Sequence, residues 1–217
     1  QALDRIMIGF NGVKRAKTSS RAENPLLQDV NKGWLQKIRE DAPDHVMGST
    51  TKDGATTAGA VKVGKGGDYA NLDVVVMDAV NELIDAVYQD DDDLVVVCGR
   101  ELLSDKYFPL VNKEQDNSEK IAADLIISQK RMGGLQAVRA PYFPANALLI
   151  TRLDNLSIYW QEDTRRRSVI DNPKRDRIEN FESVNEAYVV EDYRCAALVE
   201  NIEIGDFSAP AAPEGGE

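Results

Sequence analysis

The run Leu94-Val95-Val96-Val97-Cys98 is apolar at every position, so as a strand it needs cover on both of its faces. A sheet that carries it must lie between two other layers. An acidic turn, Asp90 to Asp93, precedes it, and a helix running from Glu101 through Leu103 to Tyr107 and stopped by Pro109 is expected after it. Further cover is available nearby. Asp68 is placed to cap a helix in which Leu72, Val75, Val76, Ala79, Leu83 and Val87 recur at three- and four-residue spacing. Residues 118 to 129 give another helix with Ile121, Leu125 and Ile126 on one side, and ALLIT and LSIYW, at 147–151 and 156–160, read as strands. The middle of the chain is therefore an α+β unit.

Upstream, Leu3, Ile6, Met7 and Phe10 fall at helical spacing, and the segment reads as the end of a helix. Asn24 followed by Pro25 has the form of a helix start, with Leu26, Leu27, Val30, Trp34, Leu35 and Ile38 on one face and Pro43 as the stop. Trp34 is read as a core anchor in preference to the lining of a ligand pocket. The Thr-, Gly- and Ala-rich stretch from Ser49 to Gly67 reads as a long loop or a short mobile hairpin. From Thr164 onward the pattern becomes period-two in RRRSVID, DRIENFE, AYVVEDY and CAALVENIEI, which predicts mostly antiparallel strands. The closing SAPAAPEGGE is too poor in apolar surface to order.

A chain of 217 residues buries roughly 70% of its unfolded surface, enough for one large domain or two small ones. No apolar run approaches the roughly 20 residues of a membrane span. With 37 acidic against 26 basic residues the net charge is -11, which repels a phosphate backbone and argues against dedicated nucleic-acid binding. Cys98 and Cys195 have no metal-site spacing; both read as small buried hydrophobes, and a reducing cytoplasmic origin fits them.

Catalytic and binding patterns are weak. Gly59, Gly64, Lys65 and Gly66 follow the spacing of a phosphate-binding loop, but Gly66 stands where the hydroxyl that holds magnesium would be required, so a connector is the better reading. Asp90, Asp91, Asp92 and Asp93, with Asp85 nearby, could offer oxygens to a hard cation, yet they lack the alternation and central glycine of a calcium loop and read as a solvated turn. His45 is the single histidine and has no serine-rich elbow near it, so it reads as a surface residue. Catalytic residues, metal ligands and cofactor-binding residues are therefore assigned to none. Arg165, Arg166, Arg167, Lys174, Arg175 and Arg177 form the one basic cluster; it is either a solvated strand face paired with nearby acids or a contact for an acidic surface of a neighbouring subunit.

Long runs in order carry more than any of these. GFNGVKRA (9–16), NPLLQDVNKGWLQKIREDAP (24–43), GKGGDYANLD (64–73), the whole stretch from Asp93 to Leu135, PYFPANALLIT (141–151), NLSIYWQED (155–163) and NPKRDRIENFESVNEAYVVEDY (172–193) resemble the major capsid proteins of the Peduovirus group of tailed phages. Departures concentrate around residues 50–60, in the acidic run near 90 and in the last dozen residues. The resemblance implies the Hong Kong 97-like α+β shell fold, with an axial domain over 24–155, a peripheral domain made of 1–23 and the strands of 156–205, and a disordered tail at 206–217. It further implies a C-terminal fragment, from truncation or proteolysis, lacking the N-terminal arm, the extended loop and most of the spine helix. Its function would be structural. Full-length copies would form hexamers and pentamers of an icosahedral phage head around double-stranded DNA held without specific binding, assembled in the host bacterial cytoplasm from a phage or prophage gene. Scaffolding protein, portal and maturation protease would be the partners, and the fragment alone would be a monomer or weak oligomer. The alternatives are an encapsulin-like bacterial compartment shell and, less well supported, a nucleotide-binding enzyme using residues 59–67.

Overall fold

A computed structural model describes residues 2–13, 22–52, 55–111 and 130–208. Its centre is a six-stranded mixed sheet in the order β1 (Val46–Met47), β13 (Ala196–Val199), β8 (Leu148–Arg152), β5 (Leu94–Cys98), β7 (Leu135–Arg139) and β6 (Arg131–Met132). β5, the run that demanded double cover, sits inside this sheet, antiparallel to β8 and parallel to β7. The period-two alternation of a strand then divides its side chains. Leu94, Val96 and Cys98 enter one apolar cluster with Leu148 and Ile150 of β8 and with Leu72, Val75, Val76 and Ala79. Val95 and Val97 enter the opposite cluster with Leu149, Leu198, Trp34, Leu35 and Ile38.

The first cluster is roofed by α3 (Leu72–Leu83) and by α4 (Arg100–Val111), which contributes the buried Leu102. Gly133 and Gly134, with φ of 58° and 85°, form the two-residue turn between β6 and β7, the glycine-favoured geometry of a tight hairpin. A Cβ on Gly133 would also lie 2.5 Å from Val76 Cγ1, so this turn is seated directly on α3. The second cluster is covered by α1 (Ala2–Asn11) and α2 (Trp34–Asp41), whose approach depends on Gly9: a Cβ there would lie 2.2 Å from the Trp34 ring. Trp34 meets Phe10 edge-on at 5.4 Å and Tyr188 at 5.3 Å, and its indole N–H donates to the Ser157 carbonyl at 2.9 Å. It is a core anchor.

Smaller sheets lean on this body. β9 (Leu156–Trp160) pairs antiparallel with β12 (Glu186–Val190), β4 (Val61–Val63) pairs parallel with β14 (Ile202–Ile204), and β2 (Ser49–Lys52) forms a hairpin with β3 (Ala55–Ala58). The last pair, β10 (Arg166–Asn172) and β11 (Arg177–Ser183), stands apart. Asn155 locks the passage from β8 to β9 against the chain after β12. Its side chain donates to Thr151 Oγ1 at 3.0 Å and to the Asp192 carbonyl at 2.8 Å, while its Oδ1 accepts from the Asp192 amide at 2.7 Å.

Asp192 is held in turn by Arg194, by the Arg194 amide and by the Tyr88 hydroxyl, which bring its carboxyl down to about 2. The unfolded value is about 3.9, so this carboxylate contributes stability that is complete above about pH 4 and is lost as the pH falls toward about 2. Asp192→Asn is therefore expected to be less stable than the parent at about pH 5, with the difference shrinking as the pH falls through about 2 and vanishing below it. Urea midpoints of the two proteins across that range check it; a gap independent of pH would contradict the assignment.

Several local expectations are corrected. The helix begins at Trp34 and not at Asn24-Pro25: residues 25–30 form successive turns, Leu27 takes φ of 56°, and the extended Gly33 precedes the first helical turn. α3 is capped by Asn71, whose Oδ1 accepts from the Val74 amide at 3.0 Å; Asp68 instead accepts from the Lys62 amide, and Val87 lies outside the helix, 76% exposed. α4 runs through Pro109, which falls in its last turn, where one missing amide costs the helix little. Residues 61–63, expected to belong to a long loop or a short mobile hairpin, are a strand with Val61 and Val63 buried. The chain is held to Phe207, whose amide donates to the Lys65 carbonyl at 2.8 Å. The helix expected over 118–129 and the residues from 209 onward lie outside the described residues.

Candidate assembly surface

β10 and β11 pair in register from Arg166 with Ser183 to Asn172 with Arg177, joined by a turn through Pro173, Lys174 and Arg175. Apart from Asn172 and Glu179 every residue of the two strands is exposed. The register puts Ile170 diagonal to Phe181 on one face and Val169 diagonal to Ile178 on the other. These four are 48%, 55%, 59% and 72% exposed. A two-stranded hairpin on its own is marginal in water, and this one carries apolar side chains on both faces with no layer of its own chain over either among the described residues.

The basic cluster lies on this hairpin and divides in two. Arg165 pairs with Glu182, Arg167 donates to Asn180 Oδ1 at 3.2 Å, and Arg177 donates to Glu179 at 2.8 Å. Arg166, Lys174 and Arg175 have no ion pair among the described residues and are exposed, the last two at the tip. Exposed pairs of this kind contribute little to stability, so the arrangement is better explained by what it presents than by what it holds.

At the base of the hairpin lies a cleft of about 920 Å³ between α1, the turn at Val30 and Asn31, and the ends of β9 and β12. Ile8, Val30 and Trp160 give it an apolar wall, with Trp160 67% exposed. Its acids outnumber its bases: Asp4, Glu162, Asp163, Glu182 and Glu186 against Arg5 and Arg165. Arg5 donates to Glu186 at 2.8 Å and Arg165 is tied to Glu182, so neither cation offsets Glu162 or Asp163. The buried Tyr188 lines the inner wall; burial pushes its hydroxyl up to about 12, and that oxygen has no hydrogen-bond partner among the described residues.

The remaining candidate residues are placed elsewhere. The amides of a phosphate cradle would have to be open, but the Gly59 N–H donates to Gly48, the Gly64 N–H to Tyr69 and the Gly67 N–H to Gly64. At these positions the amides of the glycine-rich segment are engaged within the chain, as a structural connector requires. Asp91 accepts from Arg152 at 3.2 Å and from the Asp93 amide at 2.9 Å, making the acidic run a self-capped turn. Among the described residues no group of three or more His, Cys, Asp or Glu is placed to hold a metal, and no helix is long and apolar enough to cross a membrane. His45 sits half-buried in the 3-10 turn Pro43–His45, its Nδ1 enclosed and without a partner among the described residues, so it is not the surface residue expected. Cys98 and Cys195 are free and buried in the first cluster, and burial raises both thiols, Cys98 to about 11. Trp160, Ile178 and Phe181 were not legible as surface anchors, because alternating apolar residues ordinarily mark a buried face.

Comparison with known proteins agrees with the fold. Residues 1–202 match the family described as phage major capsid protein, P2 family. The chain is 64% identical over 212 residues to the capsid proteins of Escherichia phage P2, covering 97% of this chain and 59% of that relative. It is 39% identical over 218 residues to the major capsid protein of Serratia phage KSP20, covering 99% of this chain and 60% of that relative. A solved structure of the satellite phage P4 procapsid including size determination (Sid) protein superposes with a TM-score of 0.85 at 61% identity, over 96% of this chain and 62% of the solved one. The chain spans about three fifths of the length of the relatives it matches. All of them are phage head proteins, which replaces the compartment-shell alternative. With an α+β capsid fold and a family match over nearly its whole length, the chain belongs to the P2 family of phage major capsid proteins, proteins of the virion shell.

Proposed function

We propose that the full-length protein self-assembles into the hexamers and pentamers of an icosahedral phage head that encloses double-stranded DNA, and that its work is done by surfaces meeting other copies of itself. The observation that carries this reading is the β10–β11 hairpin, with apolar residues exposed on both faces, which needs a partner to bury them. A closed shell built from one chain uses heterologous contacts, in which different patches of neighbouring copies meet, and the hairpin and the cleft are two such different patches. The net charge of -11 suits a wall that must hold a genome and then release it. No catalytic step enters this reading.

The six-stranded sheet with α2, α3 and α4 forms the proposed axial domain, which takes in residues 196–204 besides 24–155, since β13 lies between β1 and β8 and β14 pairs with β4. Residues 1–23 and the strands from 156 to 190 form the proposed peripheral domain. Scaffolding protein, portal and maturation protease are proposed partners of the full-length protein. Electron microscopy of that protein co-expressed with its scaffolding partner is expected to reveal closed shells; a protein that stays solitary, or that turns over a small molecule, would refute the reading. The 217-residue chain alone is expected to remain a monomer or weak oligomer, which light scattering at micromolar concentration checks.

A further inference from the structure

We infer that the cleft at the base of the hairpin receives the basic hairpin tip, Lys174 and Arg175, of a second copy of this chain. The inference rests on the shell-forming reading and names one of its contacts.

Charge and shape point the same way. The tip presents two exposed cations that have no ion pair among the described residues. The cleft presents the exposed Glu162 and Asp163 beside an apolar wall of Ile8, Val30 and Trp160. Complementary charge of this kind sets register and suppresses wrong pairings. The long stems of Lys174 and Arg175 can lie along the Trp160 ring while their heads meet carboxylates.

The tip cannot reach its own cleft. Arg165, Glu182 and Ser183 line the cleft and form the root of the hairpin, and seven paired residues on each strand separate that root from the turn. At about 3.4 Å per residue the tip stands about 24 Å away, and paired strands do not fold back on themselves. The occupant must come from a different copy. Such a tip-into-cleft contact is heterologous, so each copy gives one tip and receives one, the arrangement that forms a ring when the rotation from copy to copy closes.

The test uses the full-length protein co-expressed with its scaffolding partner. Lys174→Glu with Arg175→Glu, and separately Glu162→Lys with Asp163→Lys, are each expected to lower the yield of shells about tenfold or more at low salt, with partial recovery at high salt. All four changes in one chain restore complementarity and are expected to bring the yield back to within about twofold of the parent. In parallel, Asp163→Cys with Arg175→Cys is expected to give a ladder of intermolecular disulfides when assembled shells are oxidised, since Cys98 and Cys195 are buried. Unchanged melting temperatures of the variants separate a lost contact from a lost fold. Parent shells that form while the fourfold variant does no better than the twofold ones, with no ladder, would overturn this contact and leave the assembly reading standing. Failure of the parent to form shells at all would overturn both.

Discussion

Replacing Ile178 and Phe181 together with serine is expected to abolish shell formation by the full-length protein while leaving the melting temperature of the chain within about 2 °C of the parent. The two side chains are 72% and 55% exposed, lie on opposite faces of the hairpin and touch no core cluster, so the folded monomer loses almost nothing when they go. Buried against a neighbour, the exposed part of each would contribute about 1–2 kcal/mol, which sums to about 2–4 kcal/mol per copy, and in the proposed shell the contact repeats from copy to copy. A loss of that size, repeated around a closed structure, shifts assembly out of reach at ordinary concentrations. Counting shells by electron microscopy beside a thermal melt checks it. Normal shells from the double variant would mean that the hairpin faces water throughout its life.

Trp34→Ala is expected to have the opposite profile, a loss of about 3–5 kcal/mol in folding stability before any effect on assembly can be asked. Trp34 is 6% exposed, joins Phe10 to Tyr188 through edge-on contacts, and fills the space that Gly9 leaves open between α1 and α2. Removing it opens a cavity that the two helices cannot close without moving against the sheet, and it leaves the Ser157 carbonyl without its indole donor. Trp34→Phe keeps much of the volume and is expected to cost less, about 1–3 kcal/mol, chiefly through the lost N–H. Urea denaturation of the two variants checks the order; equal and small losses would mean that this aromatic cluster does not hold the second core together.

How far the sequence could be read follows from which interactions decide each element. LVVVC was legible as a doubly covered strand because the requirement is local to five residues, and β5 meets it with one cluster on each face. ALLIT, LSIYW and the late strands were legible for the same reason. The start of α2 was not, because Asn24-Pro25 is a sound cap in isolation and nothing nearby signals that Leu27 turns left-handed before the close approach of Gly33 to α1. β4 was hidden in a glycine-rich stretch, since it is held by pairing with β14 some 140 residues away in sequence. The β6–β7 hairpin was legible but unread: Gly133-Gly134 between Met132 and Leu135 is a strong local turn signal.

The surface followed the same division. The basic cluster could be found from sequence, but separating Arg165, Arg167 and Arg177, which are engaged within the hairpin, from Arg166, Lys174 and Arg175 required the register of β10 on β11. The cleft could not be found at all. It is assembled from α1, a turn near residue 30 and the ends of two strands more than 150 residues downstream of α1, and no spacing in the chain anticipates that meeting.

Amide hydrogen exchange across residues 166–183, compared between the free 217-residue chain and shells of the full-length protein, tests the central claim most directly. An unsupported hairpin opens readily, so in the free chain these amides should exchange close to the rate of an unprotected peptide, and in shells they should slow by about a hundredfold or more as a neighbour covers them. Equal exchange in the two samples, whether fast or slow, would mean that contact between copies does not order this element, and the account of the hairpin as the surface that builds the shell would be contradicted.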